Sequence, residues 1–168
     1  MKSKMTAIAG MLVAFSMNAF AQSSADATAT ATIITPISIS KTVDLNFGNV
    51  AVGASTGTVV LTPAGARSAT GGVSLPSTGG TVSAASFDVT GEGAYTYSIT
   101  LPSSVTITRN SGSETMTVNT FTSTPSTTGA LTAGAQTLTV GATLNVGASQ
   151  VPGTYVSGTA FTVTVNYN

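Results

Sequence analysis

Every second residue from Leu138 to Val146 is apolar: Leu138, Val140, Ala142, Leu144 and Val146 alternate with Thr139, Gly141, Thr143 and Asn145. A period of two sends successive side chains to opposite faces of an extended strand, so this row commits the segment to a sheet with one buried face. The pattern recurs along the chain. Ala27, Ala29, Ala31 and Ile33 alternate with Thr, and beyond Pro36 the same odd parity runs through Ile37, Ile39, Val43, Leu45 and Phe47. Pro36 divides that run into two segments because its nitrogen cannot donate to a ladder.

Further strands are expected at Thr58–Thr62, Val73–Leu75 and Val82–Thr90, the last with Ala85, Phe87 and Val89 on one face. Gly91-Glu92-Gly93 reads as a turn before the row Tyr95, Tyr97, Ile99 and Leu101, which Pro102 closes. Val105 and Ile107 lead into Asn110-Ser111-Gly112-Ser113, turn chemistry that predicts an antiparallel hairpin returning through Met116 and Val118. Residues Phe121 to Ala135, rich in Thr, Ser, Gly and Pro without sustained alternation, read as a long surface connection of the kind a Greek key needs. Tyr155 and then Phe161, Val163, Val165 and Tyr167 form the closing run, after the Pro152-Gly153 turn. With no helical periodicity after residue 21, the expected fold is an all-β, immunoglobulin-like Greek-key sandwich.

The chain is poor in reactive chemistry. It has no His, Cys or Trp, and only 5 acidic and 5 basic residues among 168. Most catalytic and metal-binding schemes draw on His, Cys or converging carboxylates, so no catalytic, cofactor-binding or metal-ligating residue is nominated and no cofactor is expected. Without cysteine, stability must come from the core and from backbone pairing.

At the N-terminus, Lys2 and Lys4 precede the apolar run Met5 to Phe20, and Ala19-Phe20-Ala21 has the small-x-small pattern of a leader-peptidase site. This is the layout of a secretory signal peptide cut between Ala21 and Gln22, and the run is shorter than the ~20 residues of a spanning helix. The chain therefore divides into a signal (1–21), an N-terminal extended segment (22–40) and a sandwich domain (41–168). Beyond residue 21, Lys41, Arg67 and Arg109 stand against Asp26, Asp44, Asp88, Glu92 and Glu114, a formal net charge of 3 − 5 = −2. That balance offers nothing to nucleic acid or an anionic membrane. The expected location is the periplasm, the cell surface or the medium.

Three stretches together resemble a family of exported bacterial β-proteins, the domain of unknown function 4402: LNFG at Leu45–Gly48, VGATLNVGASQ at Val140–Gln150, and PGTYVSGTAFTVTVNYN at Pro152–Asn168. The likeness extends to an expected turn at Arg67–Gly72 and the strand end at Phe87–Gly91. The last stretch also resembles the final strand of chaperone-usher pilins and spore-coat-U-type subunits. That resemblance implies a fibre or coat subunit whose partners are further copies of itself or related subunits, a periplasmic chaperone and an outer-membrane usher. It implies that Phe161, Val163, Val165 and Tyr167 line a groove, and that Ala27, Ala29, Ala31, Ile33, Ile37 and Ile39 belong to a donor strand. Many pilins carry a disulfide, which this chain cannot form, and the strands counted here suffice to complete a sandwich within one chain.

Other groups carry blander readings. Asp88 and Glu92 bracket a turn, and two carboxylates beside glycines are expected to be solvated rather than to hold a cation or act as an acid-base pair. Tyr95, Tyr97, Phe87, Phe47, Tyr155 and Phe161 are candidates for a sugar-stacking platform, with core packing the favoured expectation. Arg67 is expected to be a solvated loop residue. Two functions remain in view: a structural subunit that assembles by strand addition through weakly charged sheet edges, and a self-contained exported binding or adhesive module with its site on loops such as 121–135.

Overall fold

The computed structural model describes residues 22–168; the expected signal segment, with Ala19 and Ala21 of its expected cleavage site, lies outside them. The described chain separates into residues up to Thr32 and a unit from Ile33 to Asn168. Residues 22–32 are exposed and belong to no strand. The second unit is all β. Its strands are β1 (Ser38–Val43), β2 (Ala51–Leu61), β3 (Arg67–Ser74), β4 (Ala85–Thr90), β5 (Thr96–Thr100) and β6 (Ser104–Arg109), followed by β7 (Thr115–Thr124), β8 (Thr128–Ala130), β9 (Ala135–Val146), β10 (Tyr155–Ser157) and β11 (Thr164–Tyr167).

Every pairing is antiparallel. The larger sheet runs β1-β4-β9-β7-β6-β10, with β2 also on β9 and β3 on β2; the smaller runs β11-β5-β8. The alternating segment at 138–146 is the hub. Along one flank of β9, residues 135–140 pair with β4 and residues 142–146 with β2, while its other flank pairs with β7. Gly141 sits at the changeover, where a Cβ would stand 2.2 Å from the carbonyl oxygen of Leu61. No larger residue fits between those two backbones.

This division gives two adjoining cores. One joins Ala85, Phe87, Val89, Leu138 and Val140 of the large sheet to Tyr97, Leu131, Val163 and Val165, forming the sandwich between the sheets. The other gathers Val59, Val73, Val118, Ala142, Leu144 and Val146 on the second half of the large sheet, with Phe47 and Val50 packed against them. Each such side chain contributes roughly 1.5–3 kcal/mol by leaving water, which makes these rows the main source of stability in a chain without disulfides.

Four expectations need correction. First, the stretch 121–135 is not a surface connection: β7 continues to Thr124, β8 lies within it, and Leu131 is buried. A bulge hides the strand in sequence. Between Asn119 and Thr122 the register with β9 shifts, and Thr120 takes a φ of 49°. Met116 and Val118 therefore point inward on even parity, and Phe121 on odd. Second, Val43 leaves the row it was assigned to. The register slips between Lys41 and Val43, which brings Val43 opposite Ser86 and leaves it exposed. Third, Arg67–Gly72 is strand rather than turn; the reversal lies at Thr62–Ala66, closed by Thr62 N donating to Ala66 O at 2.9 Å. Fourth, β2 begins at Ala51, well before the expected Thr58, because Gly53 and Ser55 leave no apolar signal. The 110–113 hairpin forms as expected, braced by Arg109 Nε donating to Glu114 at 2.6 Å.

Candidate functional site

The candidate strand-exchange residues fall in two environments. Ala27, Ala29 and Ala31 are exposed and outside any strand, and Ile33 is 97% exposed. Ile37 and Ile39, by contrast, pack against the first core, and Ile39 lies opposite the buried Val89 in the β1–β4 ladder. Pro36 falls between the two groups. Gln22, the first described residue, is exposed.

The backbone just before Pro36 is held by two groups distant in sequence. Thr35 N donates to Glu92 Oε2 at 3.0 Å, and the Tyr167 hydroxyl donates to Thr35 O at 2.9 Å. The same hydroxyl accepts from Glu92 N at 2.6 Å. The hydrogen bond from Thr35 holds the Glu92 carboxyl below its ordinary range. The site is built by the β4–β5 turn. Gly91 is required there because a Cβ would stand 2.2 Å from the Tyr167 hydroxyl oxygen, and Tyr95 flanks the Tyr167 ring at 5.5 Å between centroids. Asp88, the other carboxylate near this turn, accepts from Thr137 Oγ1 at 3.4 Å. Among the described residues no three acidic side chains converge.

The closing row lies as its parity requires. Val163 and Val165 are buried in the first core, with Phe161 and Tyr167 partly buried beside them. Among the described residues β11 pairs only with β5, so its other edge is unpaired there. Between β10 and β11 the chain changes sheets: β10 pairs with β6 in the large sheet and β11 with β5 in the small one.

The LNFG stretch is a structural device. Leu45 and Phe47 turn inward, Asn46 bridges to Ser83, and Gly48 adopts a φ of 67° with the Gly79 carbonyl where a Cβ would be. Arg67 reaches across this loop, donating through Nη1 to Phe47 O at 2.5 Å and Asn49 O at 3.0 Å. It is thus a clasp for the β1–β2 connection and not a solvated loop residue. Sequence reasoning missed it because its acceptors are main-chain carbonyls, which no side-chain motif marks.

The same loop lines an open cleft of about 1190 Å³ whose walls mix apolar residues, among them Val105, Ile107 and Leu144, with polar ones such as Lys41, Asp44 and Asn49. Four exposed apolar side chains, Val43, Val52, Val151 and Val156, are among its lining residues. The six aromatic candidates do not form one platform. Tyr97 is fully buried and donates to Gln136 Oε1 at 2.8 Å, Phe87 is buried, and Phe47 belongs to the second core. Tyr155 is fixed by donating to Val151 O at 2.7 Å, and Phe161 packs edge-on against Phe87.

No curated protein and no solved structure matches this chain. The family model described as domain of unknown function (DUF4402) matches residues 37–167. That span begins at Ile37, the first core-packed residue of the N-terminal run, and ends at Tyr167, so it takes in all eleven strands. By this match the chain belongs to the DUF4402 family.

Proposed function

We propose that this protein is a non-enzymatic, exported structural subunit of a bacterial surface fibre or coat, assembled by β-strand addition. The observation that carries this reading is the row Ala27, Ala29, Ala31 and Ile33. It has the alternation of a strand with one apolar face, yet it is exposed and contributes to no strand among the described residues. A free strand of this kind can add to an unpaired sheet edge, where main-chain hydrogen bonds supply affinity and alternate side chains supply fit. β11 offers such an edge, and its residues Thr164, Val165, Asn166 and Tyr167 carry no charge to oppose pairing. Export through the Met1–Ala21 signal, a pilin-like Greek-key character and dependence on a periplasmic chaperone and an outer-membrane usher are parts of the same proposal. Native mass spectrometry of the exported chain tests it: a ladder of integer multiples of one subunit is expected, and monomer alone at micromolar concentration contradicts it.

A second reading, a self-contained binding or adhesive module, is favoured by one observation, the cleft lined by the β1–β2 loop, with apolar residues and a few polar ones. Concave sites that combine apolar walls with a few polar groups are where small molecules bind. This reading expects a monomer that takes up an apolar fluorescent probe. A large side chain introduced at an exposed position of the cleft wall as Val156→Trp should block that uptake, and unchanged uptake would show that the cleft is not the site.

A further inference from the structure

Thr35 is gripped at both of its main-chain polar groups, and its side chain adds a smaller contribution at Glu92. One partner is a carboxylate in the β4–β5 turn, the other a phenol on the penultimate residue, and the two are joined through Glu92 N to the Tyr167 hydroxyl. Such a site reads chiefly backbone, and it needs an extended residue with both groups free of its own ladder. Thr35 meets that need because β1 begins only at Ser38, beyond Pro36.

We propose that Glu92 and Tyr167 form a backbone clamp that locks the root of the N-terminal arm to the closing strand, so that the root is fixed only when β11 is seated on β5. The geometry supports this order of events. Tyr167 lies opposite Tyr97 in the β11–β5 ladder, so its hydroxyl reaches Thr35 only from that register. Gly91 leaves the space the hydroxyl occupies, and the Tyr95 ring supports the phenol from the side. The clamp lies just after Ile33, the last member of the exposed alternating row. Fixing the root lowers the entropy lost when that row pairs with a neighbour. This last consequence rests on the strand-addition reading; the clamp itself does not.

Amide hydrogen exchange on the exported chain tests it, comparing the unmodified protein with Tyr167→Phe and Glu92→Ala. In the unmodified protein the Thr35 amide should exchange more slowly than that of Thr32. Glu92→Ala, which removes the acceptor of the Thr35 amide, should speed its exchange roughly fivefold, the factor one hydrogen bond of ordinary net strength is worth, and Tyr167→Phe, which frees the carbonyl side of the same residue, should speed it in the same direction. The Tyr97 and Leu138 amides, deep in the first core, should keep their protection and so report that the fold is intact. A Thr35 amide that exchanges as fast as Thr32 in the unmodified protein overturns the clamp, as does unchanged protection in both variants. Should Tyr167→Phe disturb the core amides, Glu92→Ala, on a turn, decides the matter. Released Thr35 with an unaltered distribution of assembled species would overturn the link to assembly and leave the clamp standing.

Discussion

The hydroxyl of Tyr167 donates to the main-chain carbonyl of Thr35 at 2.9 Å across 132 positions of sequence. The penultimate residue and the residue before Pro36 thereby meet at one turn, with Glu92 holding the other side of the Thr35 peptide. Three hydrogen bonds join the two ends of the folded unit, and one of them, from Thr35 N, ends on the Glu92 carboxylate and weakens when that group is protonated.

The acid dependence follows from the sign of the Glu92 shift. Its carboxyl is lowered from 4.5 in the folded chain, chiefly by the hydrogen bond from Thr35. A depressed folded value means that the contribution is present above the unfolded pKa and is lost as pH falls through the folded one. Protection of the Thr35 amide, beyond the intrinsic pH dependence of exchange, should therefore diminish on acidification below the ordinary carboxylate range. Glu92→Gln should remove that pH dependence; an unchanged profile in the variant contradicts the assignment.

Tyr97 titrates in the opposite sense. Burial pushes its phenol above 10.0, because the anion is disfavoured in the core. Its neutral form is the one the fold stabilises, so stability is whole below the unfolded pKa and falls as pH rises through the folded one. Tyr97→Phe should cost about 1 kcal/mol through loss of the bond to Gln136, and should remove from an ultraviolet titration a phenol that ionises above the ordinary value. Denaturant melts and the titration check the two halves separately.

Leu138→Ala should be among the most damaging single changes. The side chain is fully buried between Phe87 and the smaller sheet, and truncation there should cost about 2–5 kcal/mol in chemical denaturation.

Gly48→Ala tests the loop clasp. The φ of 67° and the Gly79 carbonyl at 2.3 Å from the Cβ position leave no room for a methyl group. A loss of about 1–3 kcal/mol is expected, measured by thermal or denaturant unfolding, and a neutral result would show that the loop is held differently.

The strand at 138–146 and the inward row Val163, Val165 were legible because an unbroken period of two survives from sequence to sheet. Phe121 and Val43 were not, since a bulge reverses parity without leaving a mark in composition. The exposed row Ala27–Ile33 could be read as strand-like, but the division at Pro36 between exposed and packed residues depends on how β1 meets β4. The Arg67 clasp and the Thr35 clamp were illegible for a shared reason: both bind main-chain groups, whose positions are set by the fold alone.

The measurement that bears most directly on assembly by strand addition is sedimentation velocity of the chain from Gln22 onward beside its Ile33→Asp variant in non-denaturing buffer, with melting temperatures recorded for both. Ile33 is 97% exposed in its own subunit, so the substitution should leave the melting temperature of the separate domain nearly unchanged. Paired with a neighbour, the same position would bury an unpartnered carboxylate at a cost of several kcal/mol. Assembly by strand addition requires a series of assembled species for the unmodified chain and monomer for Ile33→Asp. Two stable monomers with equal melting temperatures, or identical assembled species for both, would contradict it.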